Sequence, residues 1–232
     1  MSAAETKHEQ DNLFYLLAQT WAPTHCCEKP TQCSAVPWAF SANHLTLHGL
    51  WPAYYKQPSD TNQKYPQNCH AKVKLLSQFL PREYIDLAPA FTKWNMQLHQ
   101  AEVGELAKHE WKKHGTCSGL TPEGYFQEAL RAMQHIGGDR GTPKLLTNNS
   151  GGKVKVEELR SQYAKKVAIR ADKYCRLTEV TTCWKRLSDG RVGPMTDCPD
   201  STMQGRDGTR RCSFLHLTAV GKCNVSNEKV SK

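Results

Sequence analysis

Residues 175–184, CRLTEVTTCW, turn the pattern of the chain strand-like after a long helical middle. Two further segments follow in the same style, RVGPM at 191–195 and CSFLHLTAV at 212–220. Near the other end, residues 13–21, LFYLLAQTW, are apolar and aromatic and read as a buried strand. Residues 44–50, HLTLHGL, alternate polar and apolar before a glycine and a proline, which predicts a strand ending in a turn. Between these ends the spacing is helical. Residues 71–80, AKVKLLSQFL, predict a helix that stops at Pro81. A second runs from about Gly104 to His114, with Gly115 placed for a left-handed cap. Thr121 and Pro122 supply an N-cap and a first helical residue for a third, whose buried stripe is Phe126, Ala129, Leu130 and Met133 and whose end is Gly137-Gly138. A fourth is expected over 156–169. Strands at both ends around a helical middle predict an α+β fold, a central antiparallel sheet packed with several helices, rather than a βαβ repeat.

The chain contains no linker-like tract and no internal repeat, so one domain over 13–223 is expected, with flexible ends at 1–12 and 224–232. No apolar run reaches the ~20 residues of a membrane span. The first twelve residues, MSAAETKHEQDN, are polar and lack a leader-like apolar stretch, so they read as an intracellular start or as a mature chain carrying a new Met. The ten cysteines favour the second reading. Their number is even, none forms a CxxC pair, and ten thiols fit an oxidising compartment with five disulfides better than the cytosol. Sequons at Asn148 and Asn224 agree with that compartment. The net charge of +9, from 31 Lys+Arg against 22 Asp+Glu, favours a polyanionic partner, although basic secreted proteins are common.

The densest chemistry is HEWKKH at 109–114. On a helix His109 and Lys113 stand one turn apart, as do Glu110 and His114, so these four share an arc of about 140° while Trp111 faces the core and Lys112 solvent. An exposed face with two imidazoles, a carboxylate and an ammonium suits phosphate chemistry: charge to hold the group, and side chains that titrate near neutrality. The metalloprotease pattern differs by one residue. H-E-x-x-x-H sets the imidazoles about 140° apart, which with Lys113 alongside argues against a metal site. A second segment, HGLWP at 48–52, is expected to turn sharply at Gly49 and to offer Trp51 for stacking on a base. The remaining histidines, among them His44 and His135, have no such context.

HGLWP followed about sixty residues later by HEWKKHGTC resembles the ribonuclease T2 family, the acid ribonucleases that include the plant S-ribonucleases. Leu16–Trp21 resembles that family's first strand, and Cys69, Cys175, Cys183, Cys198 and Cys212 its cysteines. The resemblance implies a cofactor-free, metal-independent, secreted class of endoribonuclease acting on single-stranded RNA: the ribose 2′-OH attacks phosphorus, a 2′,3′-cyclic phosphate forms, and 3′-phosphate ends result. It implies His114 as general base, His48 as general acid, His109 as holder of the phosphate, and Glu110 with Lys113 as stabilisers of the phosphorane. It implies a monomer without membrane insertion, outside the cell or in a lysosome- or vacuole-like acidic compartment. The pairing it implies is Cys26–Cys33, Cys69–Cys117 and Cys183–Cys198 nested inside Cys175–Cys212, which leaves Cys27–Cys223. Two positions depart from the family. Ala53 stands where an acidic residue often reads a base, and Leu106 where an aromatic often does. Trp51, Tyr54, Tyr55, Gln19 and Leu106 are the candidate base contacts, and base preference stays open. A catalytically idle relative that binds RNA or signals is the alternative.

Overall fold

The computed structural model describes residues 12–28, 38–59, 63, 65–69, 75, 77–87 and 104–223. Its centre is an antiparallel sheet of five strands: β1 (Leu13–Trp21), β2 (Leu45–Tyr54), β4 (Ala168–Ala171), β5 (Leu177–Arg186) and β6 (Val192–Thr196). The order is β2-β1-β5-β4, with β6 also paired to β5, so the N-terminal strand and the 177–186 strand are the two central ones. Their residues explain this. The segment from Phe14 to Trp21 is buried throughout, as a strand covered on both faces must be. A small second sheet pairs β3 (Lys153–Lys155) with β7 (Phe214–His216). The expectation of α+β architecture holds.

The helices are α1 (Ala22–Glu28), α2 (Trp38–Ser41), α3 (Arg82–Leu87), α4 (Glu105–Lys113), α5 (Pro122–His135), α6 (Lys144–Asn148), α7 (Val156–Arg160) and α8 (Asp200–Arg206). Thr121 caps α5 by accepting from the Gly124 N–H at 3.2 Å, and Gly137 and Gly138 end it at φ of 87° and 72°. The predicted stripe Phe126, Ala129, Leu130 and Met133 is buried in a cluster with Tyr15, Leu17, Leu106 and Trp111. Trp111 stacks edge-on against Tyr125 at 5.9 Å; emptying such a site costs ~3–5 kcal/mol. This cluster fixes α4 and α5 on one face of the sheet. The other face carries Phe14, Leu16, Ala18, Trp51 and Ala53, packed with the Cys183–Cys198 bridge and Met203 of α8.

Several local expectations are corrected. Of the helix expected over 71–80, residues 71–74 and 76 lie outside the described residues; the described part holds a 3₁₀ turn, Ser77–Phe79, and α3 follows Pro81. The helix expected over 156–169 ends at Arg160, because Ala168 and Ile169 join the sheet opposite Thr181 and Val180. The 212–220 strand shrinks to Phe214–His216. Gly115 is not a left-handed cap. It opens a 3₁₀ turn, Gly115–Cys117, and a Cβ there would strike the Trp111 ring and come within 3.0 Å of Tyr125 Cδ1.

Four predicted disulfides are present: Cys27–Cys223, Cys69–Cys117, Cys175–Cys212 and Cys183–Cys198. Cys26 is also disulfide-bonded, while Cys33, its expected partner, lies outside the described residues. Each closed loop contributes ~2–4 kcal/mol. Asn148 is exposed, and Asn224 lies outside the described residues. So do the ends expected to be flexible, except Asn12, whose side chain bonds the Lys56 backbone at both its N–H and C=O. No described helix is long and apolar enough to cross a membrane.

Candidate active site

The HGLWP segment does not turn. It runs straight through β2, but the pairing slips by one residue: Ala18 faces Gly49 and Gln19 faces Leu47, so His48 is an extra, bulged residue. The slip changes which residues face the helices. Leu47 and Leu50 both join the cluster beneath α4 and α5, whereas Trp51 and Ala53 point to the opposite face. Strict alternation would have put Leu47 and Trp51 on one side. The bulge therefore aims His48. Gly49 serves close approach rather than bending: a Cβ there would collide with the Glu110 carboxylate and the Trp51 indole nitrogen.

At the other motif α4 ends at Lys113, and His114 leaves the helical path at φ −117°, ψ −49°. The helix end is tied down twice, by the Asn68 N–H donating to the Lys113 carbonyl at 2.9 Å and by Cys69–Cys117. The ideal-helix picture of one exposed four-residue face fails here. Glu110 is 1% exposed and His114 5%, with only His109 and Lys113 partly in solvent. Glu110 lies on the helix's buried side with Leu106, Ala107 and Trp111.

The two motifs meet around one cleft of about 230 Å³, lined by His48, Trp51, Tyr65, His109, Glu110, Lys113, His114 and Arg206 among others. Trp51 is its hub. Its ring contacts His48 at 5.1 Å and His114 at 5.4 Å, its N–H donates to Glu110 Oε2 at 2.6 Å, and the Arg206 guanidinium lies 4.5 Å over it. A larger hollow of about 640 Å³ lies elsewhere, along α7 and α8. Its charges are largely spent on one another, as in Arg160–Asp207 and Lys166–Asp200, and among the described residues no histidine lines it. Chemistry, not size, singles out the smaller cleft.

Electrostatics divide the histidines. Burial disfavours the charged form of His48, but the bond from its Nδ1 to Glu179 at 3.4 Å and the nearby Glu110 and Glu179 charges outweigh burial and raise its pKa. His114 has the reverse setting: burial, then Lys113, His109, His48 and Arg206, push it down to about 3. Burial and Lys113 also lower His109. Burial raises Glu110 to about 7 against the pull of His48, the Trp51 N–H and Lys113. The cleft thus holds one imidazole disposed to carry a proton and one disposed to lack it.

The structure places several of the expected site residues differently. His109, Glu110 and His114 offer ligand atoms within 4.8 Å of one another, so the 140° separation expected of the two imidazoles does not hold; His114 lies off the helix. The charge setting argues against a cation there, since Lys113 and Arg206 both face the cleft. Trp51 lines the cleft but is 8% exposed and covered by Arg206. Gln19 is fully buried in β1 and donates to the Gly141 carbonyl at 3.1 Å, and Leu106 is 1% exposed in the core, so neither reaches a substrate. Tyr54 and Tyr55 are not among the residues lining the cleft, and Tyr55 stacks on Phe14 at 4.6 Å.

Tyr65, Glu179 and Arg206 were not legible as site residues. Tyr65 lies 5.9 Å from the His114 ring and 5.7 Å from Lys113 Nζ. The one available signal for Glu179 was that it is the lone carboxylate of its strand, set among apolar and hydroxylic residues ahead of Lys185 and Arg186.

Residues 12–189 match the family model described as the Ribonuclease T2 family. The chain belongs to the ribonuclease T2 family. Among its relatives are a ribonuclease of Aeromonas hydrophila, 34% identical over 57% of this chain and 51% of that protein, and Ribonuclease 1 of Arabidopsis thaliana, 27% identical over 85% and 84%. The chain spans about half the length of the first of these and of the intracellular ribonuclease LX of Solanum lycopersicum, to which it is 32% identical over 52% of its own length. Among solved structures, trichomaglin, described as an S-like ribonuclease, shares the fold at a TM-score of 0.59 and 17% identity, over 90% of this chain and 98% of that one. An RNase-related protein from Calystegia sepium does so at 0.55 and 20%, over the same shares.

Proposed function

We propose that this member of the ribonuclease T2 family is an endoribonuclease that cleaves single-stranded RNA through a 2′,3′-cyclic phosphate to 3′-phosphate ends, without a metal. The observation that carries the reading is the opposite electrostatic setting of two histidines on one indole: His48 beside two carboxylates, His114 among cations. In this reading His114 takes the proton of the ribose 2′-OH as that oxygen attacks phosphorus, and His48 protonates the departing 5′-oxygen. Water then opens the cyclic phosphate with the two roles exchanged. His109 and Lys113 hold the phosphate from the open side. Lys113 also meets the charge that builds in the phosphorane, with Glu110, its pKa raised by burial to about 7, beside it on the cleft wall. The internal nucleophile already has a high effective molarity, so positioned proton transfer and charge stabilisation suffice. DNA, lacking the 2′-OH, would bind uncut.

The relative RNase NT was solved with 5′-AMP, which is in keeping with a nucleotide seat in such a cleft; here Tyr65 lines the wall and is less buried than Trp51. Relatives carry both intracellular and extracellular names. The disulfides favour an oxidising compartment for this chain, outside the cell or in an acidic organelle, as a monomer with glycans at Asn148 and Asn224. The test is cleavage of single-stranded RNA in excess EDTA with analysis of product ends. Undiminished cutting to cyclic and then 3′-phosphates is expected. Loss of activity with the chelator would replace this mechanism by a metal-dependent one, and binding without cutting would leave an idle relative.

A further inference from the structure

We infer that Glu179 on β5 is a positioning residue for His48, and that Arg206 on α8 holds Glu179 in place; this rests on the acid role proposed above for His48. The sheet register creates the contact. Thr20 of the central strand stands between Glu179 of β5 and Thr46 of β2, and the bulge sets His48 two residues further along β2. The Glu179 carboxylate thereby crosses β1 and meets His48 Nδ1 at 3.4 Å through Oε2. Its other oxygen accepts from Arg206 Nη1 at 3.2 Å and Thr181 Oγ1 at 3.3 Å. Each oxygen thus has its own partners, and a carboxylate pinned at one oxygen presents the other in a fixed direction.

The chemical consequence concerns the tautomer. A carboxylate at Nδ1 keeps a proton on that nitrogen in both charge states of the ring, so the proton that comes and goes sits on Nε2. Nε2 is the nitrogen turned toward Glu110, 4.0 Å from its Oε1, and so toward the cleft. Glu179 is suited to the task. Burial opposes its ionisation, but the His48 bond and the charges of His48, Arg206 and Arg170 hold its pKa below the ordinary carboxylate range. Around His48, Glu110 projects from α4, Glu179 from β5 and Arg206 from α8, with His109, Lys113 and His114 across the cleft. Glu179 lies within residues 12–189 that match the family model and Arg206 beyond them.

The experiment follows the His48 imidazole nitrogens by NMR through a pH titration of the full chain, without RNA, in the parent and in Glu179→Gln and Arg206→Gln. Glu179→Gln is expected to lower the His48 midpoint by about one pH unit and to mix its tautomers. Arg206→Gln removes a nearby cation, which by itself raises the midpoint, and frees the carboxylate it held, so the His48 tautomers are expected to mix there too. On a dinucleotide, the alkaline limb of kcat/KM should move with the midpoint in each variant while KM changes little. An unmoved His48 titration in Glu179→Gln overturns the inference whether or not the chain cuts RNA. Shifted titrations in a chain that cuts no RNA support the positioning role and instead defeat the ribonuclease reading. Should Glu179→Gln fail to fold, the parent and Arg206→Gln decide: a parent His48 whose neutral ring is not protonated at Nδ1, or an Arg206→Gln ring whose tautomers stay unmixed, overturns the inference.

Discussion

The two motif segments solve one problem by different means. In β2 a histidine is moved off the regular strand by a bulge, and at the end of α4 another is moved off the regular helix by the helix stopping one residue early. Both land on the same indole, His48 at 5.1 Å and His114 at 5.4 Å. The strand histidine finds carboxylates from α4 and β5, and the helix histidine finds the cations of its own motif and of α8. The difference teaches that identical side chains acquire opposite proton affinities through their neighbours, and that irregular backbone at the two sites delivers each to its neighbours.

The largest effect expected from breaking the comparison comes from removing either ring. His48→Ala and His114→Ala should each lower kcat on a dinucleotide by ~10²–10⁴, while affinity for a 2′-deoxy analogue stays close to the parent's, because many cations share the grip. Near-normal turnover in His48→Ala would reduce HGLWP to a structural segment.

Gly49→Ala attacks the bulge rather than the ring. The added methyl enters the space of the Glu110 carboxylate and the Trp51 nitrogen, so a loss of ~1–3 kcal/mol in a denaturant melt is expected, with a fall in activity although no catalytic side chain is changed. Gly205→Ala, where a Cβ meets nothing within 4 Å, is the matched control and should leave both unchanged or slightly improved. Equal behaviour of the two variants would remove close approach as the reason for Gly49.

The gentlest probe is pH. His114 must be neutral to act, so kcat/KM should fall only as pH drops toward about 3, where His114 gains its proton. His48 must be protonated, and its pKa is raised above 6.5, so the other limb lies above that value. Between the limbs the free enzyme holds both groups in the required states, which places the optimum on the acid side of neutrality. A monotonic rise from about pH 5 to 9 would contradict the assignment, since His48 loses its proton across that range.

The chain's own order of residues determined the class of fold and the chemistry. An apolar 13–21, the strand-like 175–184 and the capped, striped 121–136 are local signals, each set by side chains a few residues apart, and each appears where its pattern placed it. The histidines, Glu110 and Lys113 were legible because a dense string of titratable groups is itself unusual. What local pattern could not carry was long-range placement. Periodicity assumes regular elements, and so missed a strand bulge and a histidine beyond a helix end; it put Glu110 in solvent and kept His109 and His114 apart. Gln19 and Leu106 could pass as base contacts because sequence states polarity and shape but not which face of a sheet a residue occupies. Glu179 and Arg206 lie more than 130 residues from His48 along the chain. Only the pairing of β5 with β1 and the packing of α8 over Trp51 bring them to it, and that is decided by tertiary contacts between segments that carry no mark of each other.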